Sequence, residues 1–221
     1  MKSPIYIQLY FGFMMIAVPL YSHAYGIRNF LYICDVALFV NLAAFLVADK
    51  SKDQSARLLS ATLCGMLVPQ GMWVIDFIQC ILLGCSSSNS LSGYMFSSEL
   101  PLYIRAISSF HIWQPFFLLY CIKQIGYYHP DGWITWSKIA ALDLLLSYML
   151  STPPGGPSYL PRNVNKVYGM DDDKAQTLVH PWLWLALLIV SGPILVYYPS
   201  HLLIQTIIEP LLFSSSTFKQ T

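Results

Sequence analysis

The chain has 221 residues, of which 56% are hydrophobic and only 10% are charged. Soluble domains carry roughly 25% charged residues, so this composition excludes a protein whose whole surface faces water. The formal net charge of +1 offers no basic surface for nucleic acid. We therefore expect one integral membrane domain over residues 1–221, with the lipid bilayer as its main partner.

Six apolar segments follow one another along the chain. A helix that crosses the hydrocarbon core needs roughly 20 mostly apolar residues. Such stretches lie at about 5–21, 29–48, 58–84, 100–122, 133–150 and 179–207. Turn-forming residues separate them, notably the prolines and glycines at 153–157. The sequence predicts an all-α fold, a polytopic transmembrane helix bundle with about six spans.

The first segment has two interpretations. Lys2, an apolar run and then Ser22-His23-Ala24 imitate a signal peptide with its cleavage site. Pro19 and Tyr21 weaken the cleavage pattern, so we expect the segment to remain as the first helix. Cleavage would leave five helices and would not move the others.

Lysine and arginine predict the orientation, because cytoplasmic loops carry the excess of positive charge. The N-terminal face, on which the first helix begins, carries Lys2, Lys50, Lys52, Arg57, Lys123 and Lys219. The opposite face carries Arg28, Arg162, Lys166 and Lys174. This pattern favours cytoplasmic termini, and we expect a bacterial inner or plasma membrane.

Ionisable side chains interrupt several of these segments. Each costs about 2.5–3.5 kcal/mol within the hydrocarbon, and such residues mark candidate functional sites. Counting along the segments places all of them in the half of the membrane nearer the opposite face; they are Asp35, Asp76, Arg105, His111 and Asp143. We expect them to point into one internal chamber, with Arg105 paired to Asp76, Asp35 or Asp143.

Two segments repeat polar residues every three positions, so that successive members lie one helical turn apart. The fourth segment carries Arg105, Ser108, His111 and Gln114, and the third carries Gln70, Trp73, Asp76 and Gln79. Both rows are predicted to point inward, because lipid-facing polar rows would be costly. Pro115 is expected to kink the fourth helix and to free a backbone carbonyl near His111.

The cysteines show neither a CxxC pair nor a zinc-site spacing; they are Cys34, Cys64, Cys80, Cys85 and Cys121. We expect buried free thiols, because a helix would hold even Cys80 and Cys85 apart. No phosphate loop, dinucleotide fingerprint or metalloprotease motif occurs in the sequence. We therefore expect no metal and no cofactor.

Three short stretches are distinctive: Phe30-Leu31-Tyr32-Ile33-Cys34-Asp35, then Leu100-Pro101-Leu102 with His111 and Pro115-Phe116, and Asn163-x-Asn165-x-x-Tyr168-Gly169. They resemble a superfamily of six-helix membrane proteins that includes the bacterial YwaF-like proteins and the animal androgen-induced hydrolases of fatty-acid esters of hydroxy fatty acids. In those hydrolases a Thr of the first motif is the nucleophile, and a His before the Pro-Phe pair assists it. Here His111 keeps that place, with a gap to Pro115 one residue shorter, and Tyr32 stands where the Thr would be.

Three functions remain open, and in each the oligomeric state is undetermined. The first is an intramembrane hydrolase or acyl-transfer enzyme acting on lipid esters, with His111 as base. Its candidate catalytic residues are His111, Tyr32, Ser108 and Asp35, and its candidate substrate-binding residues are Arg105, Asp76, Gln114 and Asn165. The second is a small transporter or proton-coupled binding protein. The third is a non-catalytic scaffold whose polar groups only pack.

Overall fold

The computed structural model describes residues 4–85, 90–156, 162–171 and 174–213, and within these ranges the chain is an all-α helical bundle. The helices are α1 (Ile5–Tyr25), α2 (Ile33–Val47), α3 (Lys52–Leu83), α4 (Leu102–Ser108), α5 (Phe110–Ile125), α6 (Gly132–Leu150) and α7 (Pro181–Phe213). Within the same ranges, three short 3₁₀ turns lie between the helices, at Ile27–Leu31, Gly93–Phe96 and Val164–Lys166.

Three of the described helices, α1, α3 and α7, are each long and apolar enough to cross a membrane. Helix α2 is apolar but has only 15 residues. Helix α6 has 19 residues, and Lys138 and Asp143 interrupt its apolar sequence. Lys138 lies in the half nearer the N-terminal face, so the prediction that all interrupting charges lie nearer the opposite face is wrong. Together with the composition, these helices identify an integral membrane protein.

Local signals determine where the helices begin and end. The Ser51 side chain accepts a hydrogen bond of 3.1 Å from the Gln54 N–H and caps the start of α3. Gly126 adopts the left-handed conformation, with φ of 100°, and ends α5. Helix α2 begins at Ile33 rather than near residue 29, because Ile27–Leu31 form a 3₁₀ turn.

The predicted fourth span is two helices, α4 and α5, which meet at Ser109. The Ser109 hydroxyl donates to the Ala106 carbonyl at 2.7 Å, an acceptor that a continuous helix would offer to a main-chain N–H. Pro115 lies inside α5, where its missing N–H leaves the His111 carbonyl without a helical donor. The chain thus breaks at Ser109, before the proline, which the sequence did not predict, and the kink expected at Pro115 itself stays a prediction.

Helix α3 lies at the centre of the bundle and packs against α2, α5 and α6. Its contact with α6 depends on Gly65, because a Cβ at that position would overlap the fully buried indole of Trp136. Small residues of this kind let membrane helices approach closely. On another side, α1 reaches α2 through Tyr10, whose hydroxyl donates to the Leu38 carbonyl at 2.9 Å.

Consecutive long helices run in opposite directions. Tyr127, which follows α5, donates to Asp53 at the start of α3 at 3.1 Å, so these ends share the N-terminal face. Arg28, which precedes α2, lies 3.4 Å from the Leu150 carbonyl at the end of α6, on the opposite face. The outer surface is apolar and suits lipid, with Ile5, Leu102, Phe116, Met149 and Leu195 all largely exposed.

Candidate functional site

Asn165 joins the start of α2 to α6. Its side-chain NH₂ faces three acceptors, the carbonyl of Leu31 at 2.7 Å, the carboxylate of Asp143 at 2.7 Å and the hydroxyl of Ser147 at 3.0 Å. Its Oδ1 accepts from the Ile33 N–H at 2.9 Å. That N–H belongs to the first turn of α2, which has no intrahelical acceptor for it. Asn165 therefore caps α2 from a distant part of the sequence.

The loop that carries Asn165 is folded by a second asparagine. Asn163 donates from Nδ2 to the Gly169 carbonyl at 2.9 Å and accepts from the Tyr168 N–H at 2.9 Å. Both asparagines adopt positive φ, 42° at Asn163 and 54° at Asn165, a conformation that asparagine tolerates better than most residues. The motif Asn163-x-Asn165-x-x-Tyr168-Gly169 thus builds a loop and anchors it to the bundle.

The buried carboxylates are satisfied locally and not by Arg105. Asp35 is 3% exposed in the first turn of α2, where the helix dipole favours a negative charge, and accepts from Asn29 Nδ2 at 3.2 Å. The Arg105 guanidinium donates to the Met95 carbonyl at 3.3 Å and forms no ion pair with any carboxylate in the described ranges. The predicted pairing of Arg105 with Asp76, Asp35 or Asp143 is therefore wrong.

Asp76 holds the segment that follows α3. Its Oδ2 accepts from the Ser90 hydroxyl at 2.7 Å, the Ser92 N–H at 2.8 Å and the Ser92 hydroxyl at 2.6 Å. Gln79, the next residue of the predicted inward row, is exposed, so that row turns away from the interior beyond Trp73. The physical reason is that residues three apart drift around a helix of 3.6 residues per turn.

Four polar side chains form a column between α3 and α5. Gln70 Nε2 donates to Gln114 Oε1, and one turn nearer the opposite face the Trp73 indole stacks on the His111 imidazole with ring centroids 4.8 Å apart. Each keeps one buried polar atom without a hydrogen-bond partner among the described residues; these atoms are Gln70 Oε1, Trp73 Nε1, His111 Nδ1 and Gln114 Nε2. We call these four residues the α3–α5 column. Buried polar atoms without partners are rare in folded proteins, so the column is a candidate polar site.

Ser108 lies next to the column on the side of the opposite face. Its hydroxyl and that of Tyr21 on α1 are 2.6 Å apart. The Tyr94 ring lies 6.4 Å from the Trp73 ring, and burial raises the pKa of Tyr94 to about 12, so its hydroxyl keeps its proton. The Tyr21 ring also lies 6.4 Å from the ring of Phe30, in the turn before the helix of Asp35. Ser108 and Asp35 therefore share one region of the bundle.

Tyr32, the other candidate hydroxyl, has a different environment. It precedes α2 as the capping residue, and 36% of its surface is exposed. Of the candidate hydroxyls, Ser108 is thus the buried one, at 4% exposed, and Tyr32 lies nearer the surface.

Cys80 and Cys85 form a disulfide, which contradicts the prediction of five free thiols. Helix α3 ends at Leu83, and Gly84, with φ of 82°, turns the chain so that the two cysteine Cα atoms lie 4.4 Å apart. The expectation failed because it assumed that α3 continued through both cysteines. The other three cysteines are free thiols, as predicted; they are Cys34, Cys64 and Cys121.

A charged cluster on the N-terminal face was not predicted. Arg57 lies 3.8 Å from Asp53 and 3.7 Å from Asp131, and His129 Nε2 lies 3.5 Å from Asp53. The Asp131 N–H donates to His129 Nδ1 at 3.1 Å, so Nε2 carries the proton that faces Asp53. The sequence feature that could have predicted part of this cluster is the spacing of Asp53 and Arg57, which are four residues apart on a helix. The cluster joins the start of α3 to the turn before α6.

No family model matches the chain, and no solved structure matches it. The chain is similar to the "Probable G-protein coupled receptor Mth-like 12" of Drosophila melanogaster, with 24% identity over 139 residues. The match covers 62% of this chain and 28% of the relative, so this chain spans less than a third of the relative's length. The similarity agrees with an integral membrane protein.

Proposed function

We propose that this integral membrane protein crosses the bilayer six times, with α4 and α5 together forming one span, and that it binds the ester region of an uncharged lipid. The alternating directions of the helices support the six spans, which the resemblance to the YwaF-like superfamily also implies. The burial of Asp143 against Asn165 supports α6 as one of them, because that carboxylate does not face lipid.

The chemistry of the proposed ligand is inferred from the polar atoms of the α3–α5 column. Its polar atoms without partners belong to two amides, an indole and an imidazole. An ester or a hydroxyl group offers uncharged acceptors and donors that match such atoms. A bare ion would find no opposite charge in the column, which disfavours ion transport along it.

Binding of monoolein, an uncharged ester lipid, to the purified protein in uncharged detergent tests this function. The variant Trp73→Phe keeps an aromatic ring beside His111 but replaces the indole by a smaller ring without an N–H, so the affinity should fall about five-fold. The control Trp113→Phe removes an indole N–H of α5 that lies among aromatic rings outside the column. An affinity unchanged in Trp73→Phe overturns the proposal.

Hydrolysis of such an ester is a second candidate, favoured by the placement of Ser108 and His111. These residues flank the break between α4 and α5, and the Tyr21 hydroxyl holds that of Ser108. In this reaction His111 takes the Ser108 proton as Oγ attacks the ester carbonyl, and the Trp73 N–H donates to the carbonyl oxygen as it gains charge. The His111 proton then passes to the leaving alcohol, and water hydrolyses the acyl-serine. Arg105, close to this site, would attract a carboxylate product.

A fluorophosphonate probe, which labels activated serines, separates catalysis from binding. Labelling should be lost in Ser108→Ala and His111→Ala. It should persist in Ser109→Ala, because the Ser109 hydroxyl is engaged by the Ala106 carbonyl. Labelling that persists in both Ser108→Ala and Ser109→Ala, or that is lost only in Tyr32→Phe, removes Ser108 from this role and leaves the binding proposal standing.

We also infer that the opposite face lies outside the cytoplasm and that the termini are cytoplasmic, in a bacterial inner or plasma membrane. The Cys80–Cys85 disulfide lies where α3 reaches the opposite face, and disulfides persist in oxidising compartments. On the N-terminal face, Lys50, Lys52 and Arg57 give the positive charge typical of a cytoplasmic surface. Lys2 and Lys219, which were predicted to lie on the same face, are outside the described residues.

A further inference from the structure

A groove between α6 and α7 lies in the half of the bundle nearer the opposite face. It encloses about 330 Å³ and is lined by Leu144 of α6, by Leu188 and Leu195 of α7, and by Asn165 and Lys166 of the preceding loop. We call it the α6–α7 groove. Its volume is that of a small-molecule site, and its walls are mostly apolar, with Ser191 and Tyr197 of α7 as exceptions beside the loop.

The groove has the length of one membrane leaflet. Trp184, in the first turn of α7, donates from Nε1 to the Lys166 carbonyl at 3.0 Å and thereby holds Lys166 beside the start of that helix. Eleven residues separate Trp184 from Leu195, which is about 16 Å at 1.5 Å per residue. Half of the hydrocarbon core is about 15 Å thick. The groove therefore extends from the membrane surface to the bilayer centre.

The deep end of the groove is open to lipid. Leu195 is 71% exposed, and its neighbours Ile194 and Val190 are also exposed on the outer surface. The same part of α7 widens into a π-helix at Pro193–Tyr197, and π segments inside α-helices are frequent at functional sites. An acyl chain can enter from the bilayer without crossing a polar surface.

The head of the groove carries one cationic side chain, that of Lys166. Asn165 holds the loop in place through Ile33 and Asp143, and the Asp143 carboxylate is turned toward that amide at 2.7 Å. Near this level Tyr148 packs against Trp182, with ring centroids 4.7 Å apart, as aromatic residues do at a membrane interface. A cation at the membrane interface above the apolar α6–α7 groove matches the charged headgroup and the acyl chain of an anionic lipid.

We propose that the α6–α7 groove holds one acyl chain of an anionic membrane lipid, whose headgroup binds the Lys166 ammonium. The occupant is a lipid of the leaflet on the opposite face, because the groove opens to that leaflet and ends near its inner limit. This site uses none of the α3–α5 column, so it does not depend on the function proposed above.

Titration of the full-length protein in uncharged detergent with dioleoyl phosphatidylglycerol and dioleoyl phosphatidylcholine, followed by native mass spectrometry, tests the headgroup contact. The anionic lipid should bind about five-fold more tightly than the zwitterionic one, the effect of one lysine near a membrane surface. Lys166→Gln should abolish that difference, and Lys166→Arg should preserve it. Lys174→Gln, which removes an exposed cation of the same connection, should leave it unchanged.

The acyl chain is tested by Ser191→Phe, which places a ring in the groove and should weaken both lipids, because Ser191 lines it. Val190→Phe is the control, since Val190 is exposed on the outer surface. A lipid preference that survives Lys166→Gln in a variant with unchanged thermal stability overturns the proposal. An equal loss of the lipid preference in Lys174→Gln also overturns it, as does undiminished binding of both lipids in Ser191→Phe. Monoolein binding that depends on Trp73 is measured separately and is unaffected by either result.

Discussion

The side-chain amide of Asn165 donates to the carboxylate of Asp143 at 2.7 Å, while its oxygen accepts from the Ile33 N–H that begins α2. Asn165→Asp exchanges the donating group for a carboxylate and places two carboxylates together in a largely buried position. We expect this variant to lose about 3 kcal/mol of unfolding free energy. Thermal or denaturant unfolding in detergent measures the loss.

A reciprocal exchange tests whether this contact is the cause. In the double variant Asn165→Asp with Asp143→Asn, an amide again faces a carboxylate, so the double variant should be more stable than Asn165→Asp alone. A double variant that is no more stable than the single one would show that the lost donation to the Leu31 carbonyl and the Ser147 hydroxyl, and not the contact with Asp143, accounts for the effect.

The close approach of α3 and α6 at Gly65 predicts a sharp difference between two glycines of one helix. Gly65→Ala should destabilise the protein by about 1–3 kcal/mol, because the added Cβ overlaps the Trp136 indole in a packed interior. Gly71→Ala should be neutral or slightly stabilising, because nothing lies within 4 Å of a Cβ there and alanine is the better helix former. Thermal unfolding of both variants measures the contrast, and similar values for the two would contradict the packing described.

Asp76 offers a test of the segment after α3. Asp76→Ala removes the acceptor of three hydrogen bonds from Ser90 and Ser92, and we expect a loss of about 1–3 kcal/mol in unfolding free energy. Gln79→Ala changes an exposed residue of the same helix and should stay within about 0.5 kcal/mol of the parent protein. If both substitutions are equally mild, Asp76 is not the anchor of that segment.

The disulfide predicts how many cysteines react with a thiol reagent before and after reduction. Protein that is denatured without reduction should react with a maleimide at three cysteines, and at all five after reduction. The same protein produced in bacteria that lack periplasmic thiol oxidation should react at five without reduction, if the opposite face is extracytoplasmic. Three reactive thiols in both hosts would contradict the orientation proposed here, and five in both would contradict the disulfide itself.

The positions of the helices could be read from the sequence, because apolar length and turn residues act locally. The break at Ser109 could not be read from the sequence. It depends on the hydrogen bond from the Ser109 hydroxyl to the Ala106 carbonyl within the same turn, and a serine in a helix does not have to form that bond. The disulfide was missed for a similar reason, because one left-handed glycine, Gly84, decides where α3 ends.

The partners of the polar residues were less predictable than their depth. Asp35 and Asp143 were both expected near Arg105, yet asparagines from irregular segments satisfy them instead, Asn29 for the first and Asn165 for the second. Depth in a membrane follows from counting residues along helices. The choice of partner depends on loops whose conformation no periodicity describes.

The cap on α2 also constrains the order in which the bundle can be completed during synthesis. Ile33 emerges from the ribosome long before Asn165, whose sequence separation from it is 132 residues. Until that asparagine arrives, the first turn of α2 lacks its final acceptor and the loop before α7 has no anchor. The last third of the chain therefore fixes the second helix in place. In a nascent chain that stops before residue 165, the first turn of α2 and the loop before α7 cannot yet adopt their final positions.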